Sequence, residues 1–188
     1  MKTRDTVKTG LFTALIAIGA FIRIPIPVCP FTLQFLFTNL AGILLGRRKG
    51  SIAVLIYVLL GLCGLPIFAE GGGISYCLQP TFGYLLGFIG GTFITGSLTH
   101  STKTTQDTKP TVISPVRLFL ASFAGLLFVY ALGMIYYWLI SKLCLQNPIG
   151  IWPLFLYCFL LAIPGDLCLC VLSAIVGKRL QTDVLPYC

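Results

Sequence analysis

Charged side chains are scarce in this chain of 188 residues, since Asp, Glu, Lys and Arg make up 10% of it. Soluble domains carry about 25% charged residues. Hydrophobic residues make up 57%, which excludes an ordinary soluble protein and predicts an integral protein of the lipid bilayer. The length allows one compact bundle without a separate soluble domain. We therefore predict a single membrane-embedded domain over residues 1–188.

Residues for catalysis and metal binding are also few. His100 is the only histidine, and it falls in a polar linker. No Cys-x-x-Cys motif occurs, and no Walker motif that would bind nucleotide phosphates. Membrane hydrolases need paired acids, a histidine-rich metal site or a nucleophile–base pair. We predict that the chain is not an enzyme and holds no metal and no cofactor.

The eight cysteines do not indicate a disulfide scaffold. Most of them lie in or beside apolar segments, where Cys behaves as a small hydrophobic residue. Cys29 and Cys77 both fall in predicted outer loops, so a disulfide bridge between these two is left open.

Apolar runs predict an all-α membrane protein with six transmembrane helices in one bundle. The predicted spans cover residues 6–22, 31–46, 50–65, 82–98, 116–140 and 151–177. A Pro-rich loop precedes the second span, and a long loop with three glycines at 71–73 follows the third. No Gly-Lys-[Ser/Thr] follows those glycines, so they are not a nucleotide-binding loop. They allow a close approach to a ligand or to a neighbouring loop.

Basic residues orient the bundle. Eleven of the 13 lysines and arginines fall on one predicted side, and only Arg23 and Lys142 fall on the other. Cytoplasmic loops carry the excess of Lys and Arg, so both termini are predicted to be cytoplasmic. The net charge of +8 is therefore a signal of topology and does not indicate a nucleic-acid partner.

One acid interrupts the last predicted span. The 35 residues between Lys142 and Lys178 include a single charged side chain, Asp166. An acid at mid-membrane costs roughly 2.5–3.5 kcal/mol, so it normally faces a cavity or a partner. Pro164 and Gly165 predict a break in the helix just before it. Two interpretations of Asp166 remain open. It binds a polar ligand, or it only holds the bundle together, either by pairing with a neighbouring helix or as a protonated acid.

The predicted topology brings polar residues together under the outer loops. Gln34, Thr81 and the break before Asp166 lie on the same side as the Pro-rich and Gly-rich loops. We expect a pocket there that opens outward, is roofed by the loops and has one acid at its floor. Such a pocket suits a small neutral or weakly polar molecule with donor groups.

Small residues recur at a spacing of four in the first helix, as Gly10 with Ala14 and Thr13 with Ala17. This spacing lets another helix approach closely. It is compatible with packing inside the bundle and with a docking face for another protein.

Five stretches of the chain carry a family resemblance in a fixed order. They are residues 27–34 (PVCPFTLQ), 41–46 (AGILLG), 61–69 (GLCGLPIFA), 80–88 (PTFGYLLGF) and 164–166 (PGD). Together they resemble the BioY family, the biotin-specific substrate-binding subunits of energy-coupling-factor vitamin transporters.

The resemblance implies a six-helix subunit that binds biotin near the outer face of the bacterial cytoplasmic (inner) membrane and mediates its uptake. It also implies a transmembrane coupling subunit and two cytoplasmic ATPases, which would hydrolyse the ATP. The docking surface would be the small-residue face of the first helix, formed by Gly10, Thr13, Ala14 and Ala17.

The resemblance also assigns a binding site. Asp166 matches the family's acid, which is expected to accept from a ureido N–H of biotin. Four further residues match pocket-lining motif positions of the family: Phe31, Gln34, Thr81 and Tyr84. Gly73 is a sixth predicted substrate-binding residue, taken from the run of glycines and not from the resemblance.

Two motifs depart from the family pattern. The family's usual Gly-Pro-Thr-Gly-Gly-Tyr reads Gln-Pro-Thr-Phe-Gly-Tyr at residues 79–84 here. The family usually carries a lysine three residues after the acid, near the biotin carboxylate, and Leu169 takes that position here. Arg23 or a backbone N–H could replace it. Alternatively, the scaffold binds another vitamin or a biotin precursor or analogue with a different tail, or works as a stand-alone carrier.

Overall fold

The computed structural model describes residues 3–24, 31–100, 113–143 and 150–184. These residues form five long α-helices, one short α-helix and a two-stranded ribbon. The helices are α1 (Thr3–Phe21), α2 (Gln34–Leu62), α3 (Phe82–His100), α4 (Pro115–Leu143), α5 (Ile151–Phe155) and α6 (Ile163–Val184). The strands are β1 (Arg23–Ile24) and β2 (Phe31–Thr32), which pair antiparallel. Cys29 lies outside the described residues, and so does its possible bridge to Cys77.

Helix α2 folds back on itself at Gly46, which has φ 78° and ψ 176°. Glycine takes a positive φ at little cost, whereas other residues rarely do. The two arms of α2 then run side by side, and the backbone of Gly50 lies against that of Ala41. A Cβ on Gly50 would lie only 2.7 Å from the carbonyl oxygen of Ala41. The arms correspond to the predicted second and third helices. The number of membrane crossings and the side of the termini stay predictions.

The start of the first arm of α2 differs from the sequence prediction. Phe31 and Thr32 were predicted inside a helix that begins at residue 31, but they form β2 and pair with Ile24 and Arg23. The helix begins only at Gln34. The backbone N–H and C=O groups of these residues bond between the two strands. The prediction of a helix from residue 31 did not take this pairing into account.

The predicted break near Asp166 lies a few residues earlier than expected. Helix α5 continues into a π-helical turn (Leu156–Leu160), and α6 then begins at Ile163. Pro164 and Gly165 therefore lie in the first turn of α6. Proline is tolerated there because its missing N–H would have no partner within the helix.

Helices α2, α3 and α4 form the centre of the bundle. Helix α3 packs against α2 and α4, α1 packs against α2, and α6 packs against α4 and α2. Gly91 and Gly125 let α3 and α4 touch, since a Cβ on either would lie 2.9 Å from the other's carbonyl oxygen. Small residues at helix contacts are typical of membrane bundles.

Threonine hydroxyls join the helices inside this apolar bundle. Thr13 donates to the Ala53 carbonyl at 3.0 Å, and Thr95 donates to the Ala121 carbonyl at 3.2 Å. Among the described residues, α3 and α4 are long and apolar enough to cross a membrane. The molecule is therefore a mostly helical bundle in which some buried hydroxyl groups bond between helices.

The loop between α2 and α3 folds over one end of the bundle. Phe68 is buried at 1% exposure, and its ring meets those of Tyr57 and Tyr76 at centroid distances of 5.5 and 4.6 Å. The Tyr136 hydroxyl of α4 donates to the Cys77 carbonyl. These contacts attach the loop to α2 and α4 and make it the roof of the site described next.

Candidate functional site

A cavity lies between α2, α3, α4 and the start of α6, beneath the loop that joins α2 to α3. Five of the six predicted substrate-binding residues line it: Phe31, Gln34, Thr81, Tyr84 and Asp166. The sequence prediction missed ten further lining residues: Thr32, Phe35, Ala69, Tyr76, Leu85, Phe88, Leu126, Val129, Tyr130 and Ala162. Tertiary packing thus gathers residues from four parts of the chain around one space.

Gly73 does not line this cavity. Its φ is 99°, and its N–H donates to the Gly61 carbonyl at 2.7 Å. The glycine therefore serves a tight turn of the roof and approaches the end of α2. Its predicted place among the substrate-binding residues finds no support in this geometry.

Asp166 lies in the first turn of α6 and is 9% exposed. Its backbone N–H donates to the Ala162 carbonyl at 3.1 Å, which holds the residue across the turn that precedes α6. Within the described part of the chain, it is the only charged side chain that lines the cavity. A buried acid needs hydrogen-bond donors around it, and the protein supplies one of them.

That donor is the hydroxyl of Tyr130 in α4, which bonds to Oδ2 of Asp166. Tyr130 is 4% exposed and also lines the cavity. A carboxylate accepts at both oxygens, so a donor on a ligand can bond at Oδ1. Tyr130 therefore orients the acid and leaves it able to accept from a ligand.

The sequence carries a weak signal for Tyr130. Tyr130 places a hydroxyl group in the middle of a long apolar run, far from the ends of the predicted span. Tyrosine is usually found at the membrane interfaces, so a mid-span tyrosine together with a mid-span acid suggests a pair. Nothing in the sequence shows that the two would meet.

Gln34 is held at the cavity wall by a chain of hydrogen bonds. Its Nε2 donates to the Tyr57 hydroxyl at 2.6 Å, and Tyr57 donates to the Ile67 carbonyl of the roof at 3.0 Å. Thr32 donates to Oε1 of Gln34 at 3.3 Å. Gln34 therefore has a defined orientation and connects the wall to the roof.

Aromatic rings form much of the remaining surface. Tyr84 and Tyr130 meet edge to face with centroids 6.4 Å apart, and the Tyr76 hydroxyl accepts from Thr81 at 3.5 Å. The Phe31 ring lies on Gly165, where a Cβ would come within 2.6 Å of it. Gly165 is therefore needed to seat Phe31 beside the acid. Aromatic walls with a few directed polar groups are typical of small-molecule sites.

No three His, Cys, Asp or Glu side chains are grouped as a metal site would require, within the residues that the structure describes. The absence of a metal and of a cofactor stays a prediction. The cavity is suited to bind an organic molecule and to contact its donors through Asp166.

The predicted docking residues of α1 do not share one face. Gly10 and Ala14 are exposed, and a Cβ on Gly10 would meet nothing within 4 Å. Thr13 is buried against α2, and Ala17 is half-buried and packs against the core. Thr13 therefore belongs to the inside of the bundle, because its hydroxyl bonds there. Docking of a partner at this helix stays a prediction, and Gly10 and Ala14 are its exposed residues.

A sequence model of the BioY family matches residues 1–185. The chain is 40% identical to the probable biotin transporter BioY of Lysinibacillus sphaericus over 95% of this chain and 87% of that protein. It is 44% identical to the biotin transporter BioY of Thermotoga maritima over 70% of this chain and 72% of that protein.

A solved structure has the same fold. The crystal structure of the S-component for biotin from an ECF-type ABC transporter matches with a TM-score of 0.78 and 29% sequence identity. The match covers 97% of this chain and 95% of that one.

Proposed function

This chain belongs to the BioY family, and we propose that it binds biotin and mediates its uptake as the substrate-binding subunit of an energy-coupling-factor transporter. The observation that carries the proposal is the single acid in an aromatic cavity, Asp166, oriented by Tyr130. The named relatives are biotin transporters, which supports a role in transport and not in catalysis.

Biotin has the chemistry that this cavity can bind. Its ureido ring carries two N–H donors and a carbonyl acceptor, and its fused rings are otherwise apolar. Asp166 accepts from a ureido N–H, while the rings of Phe31, Tyr84 and Tyr130 pack around the bicycle. Gln34 and Thr81 contribute further polar atoms on the same walls.

The proposal extends to the rest of the transporter. The chain has no Walker motif, so ATP is hydrolysed by two cytoplasmic ATPases that act through a transmembrane coupling subunit. Residues 1–188 form one membrane-embedded domain in the bacterial cytoplasmic (inner) membrane, with both termini cytoplasmic. The distribution of Lys and Arg supports this orientation.

Titration of the purified protein with biotin in detergent tests the proposed function. We expect saturable binding at one site per chain by calorimetry, and no displacement of biotin by riboflavin or thiamine, which lack its fused bicycle of a ureido ring and a thiolane ring. Failure to bind biotin at any accessible concentration would contradict the proposal. Displacement by either of the other vitamins would contradict its specificity.

The exposed face of α1 predicts a second result. A Trp at Ala14 should block close approach of a coupling subunit and lower biotin uptake by cells roughly tenfold or more, since overpacking a close contact costs about 1–3 kcal/mol. Biotin affinity of the isolated chain should stay the same, because Ala14 lies outside the cavity. Ala131→Trp is the matched control, since Ala131 is an exposed alanine on α4. Normal uptake by the Ala14 variant would exclude this face as the docking surface.

A further inference from the structure

Arg23 lies at the rim of the cavity, and we propose that its guanidinium binds the carboxylate of the ligand and selects for an acidic tail. The inference rests on the proposed function, because it takes biotin as the ligand. It assigns a specificity-determining residue that lies outside helix α6 and outside the cavity wall itself.

Two independent contacts bring Arg23 to the rim. Its backbone pairs with that of Thr32 in the β1–β2 ribbon, and Thr32 lines the cavity. Its side chain donates from Nη1 to the carbonyl of Ala69, which also lines the cavity. The ribbon and the roof therefore hold the guanidinium beside the wall from two directions.

A pocket in front of Arg23 adjoins the cavity at one shared lining residue. A second, outer pocket is lined by Phe21, Arg23, Pro66, Phe68, Ala69, Glu70 and Gly71. Ala69 belongs to the lining of both pockets. In the proposed complex, the flexible tail of a ligand in the cavity passes Ala69 and reaches the guanidinium of Arg23.

Electrostatics decides which end of the ligand faces outward. Among the described residues, Asp166 is the one charged side chain that lines the cavity. Like charges repel strongly where water is excluded. A carboxylate is therefore favoured at the far end of the ligand, away from Asp166. Leu169, one turn further along α6, is buried at 7% exposure in the apolar core, so that position cannot neutralise the carboxylate.

Arginine has the donors for this role. A guanidinium carries five N–H donors in a planar fork, and the bond to Ala69 uses only one nitrogen. The remaining donors can form the paired bonds that arginine makes with carboxylates. Glu70 lines the same outer pocket and is exposed. Its negative charge disfavours an anion there, so Glu70→Gln should not weaken the binding of biotin.

The test compares biotin with biotin methyl ester on the native chain and on Arg23→Gln. We expect the native chain to bind biotin about tenfold or more tightly than the ester, the usual scale of a charge-assisted pair. In Arg23→Gln this preference should vanish, while the ester binds as it does to the native chain. Arg23→Lys should retain part of the preference, because the charge remains but the fork is lost.

Lys142→Gln provides the matched control. Lys142 is the other basic residue on the predicted outer side, and its ammonium lies 5.1 Å from the centroid of the Trp138 ring and not at either pocket. Its loss should leave the preference for biotin unchanged.

The outcomes separate the two proposals. A native chain that binds neither ligand contradicts the proposed function. A native chain that binds both equally, or an Arg23→Gln variant that still prefers biotin, overturns the role of Arg23. An equal loss of both ligands in Arg23→Gln and Arg23→Lys would show that Arg23 only holds the roof at Ala69, and would overturn it as well.

Discussion

Replacing Asp166 by Asn is expected to weaken biotin binding about tenfold to a hundredfold, because a buried hydrogen bond to a charged acceptor is worth roughly 1.5–3 kcal/mol. The amide keeps the shape of the side chain and can still accept from Tyr130 through its oxygen. Its NH2 group would then face the ureido N–H of the ligand, donor against donor. Calorimetric titration measures the dissociation constant, and a thermal melt in the same detergent measures the stability of the bundle.

Ser173→Ala is the control for this experiment. Ser173 is a fully buried polar residue on the same helix, it accepts from Asn39 at 2.9 Å, and it does not line the cavity. Its loss should lower the melting temperature and leave biotin affinity unchanged. If the Asp166 variant shows that same pattern, the acid only holds the helices together and does not bind the ligand.

Filling the cavity should have a still larger effect. Ala162→Trp would project an indole into the space that biotin occupies. We expect affinity to fall about a hundredfold or more, since biotin beside the indole would overpack the site, which costs about 1–3 kcal/mol in addition to the lost ligand contacts. Ala162 lies in the turn before α6 and lines the cavity close to Asp166. The variant should stay folded because the indole enters existing space. Titration with biotin measures the loss.

Leu161→Trp is the control at the adjacent residue. Leu161 is 51% exposed and is not part of the cavity lining, so the same indole should point away from the site. Its affinity for biotin should match that of the native chain. Undiminished binding by the Ala162 variant would mean that the ligand lies elsewhere, and an equal loss in both variants would mean that the turn before α6 tolerates no change.

Three of the cavity-lining residues could be identified from the sequence for a physical reason. Gln34, Thr81 and Asp166 are polar groups inside or beside apolar spans, and such groups are costly unless they face a cavity or a partner. Their cost is visible in the sequence, and the structure places all three on one cavity. That they contact a ligand stays a prediction until titration tests it.

Two of the predicted site residues make their observed contacts within the chain itself. Gly73 and Thr13 were assigned from local patterns, a run of glycines and a spacing of small residues, and both patterns serve contacts with the chain itself as readily as with another molecule. Here Gly73 bonds to Gly61 and Thr13 bonds to Ala53. Tyr130 was not among the predicted site residues because its role, the hydrogen bond to Asp166, joins residues that lie 36 positions apart in the chain.

The sequence by itself determined that this is an apolar helical bundle with one unusual acid, because composition, the lengths of the apolar runs and the charges between them act locally. The motifs in their order were enough to indicate the family. Only the tertiary structure decided which faces of the helices meet: it turned α2 back at Gly46, joined Tyr130 to Asp166 and brought Arg23 to Ala69. Those contacts depend on how rigid helices pack against each other, and packing is set by many side chains at once rather than by the spacing of a few.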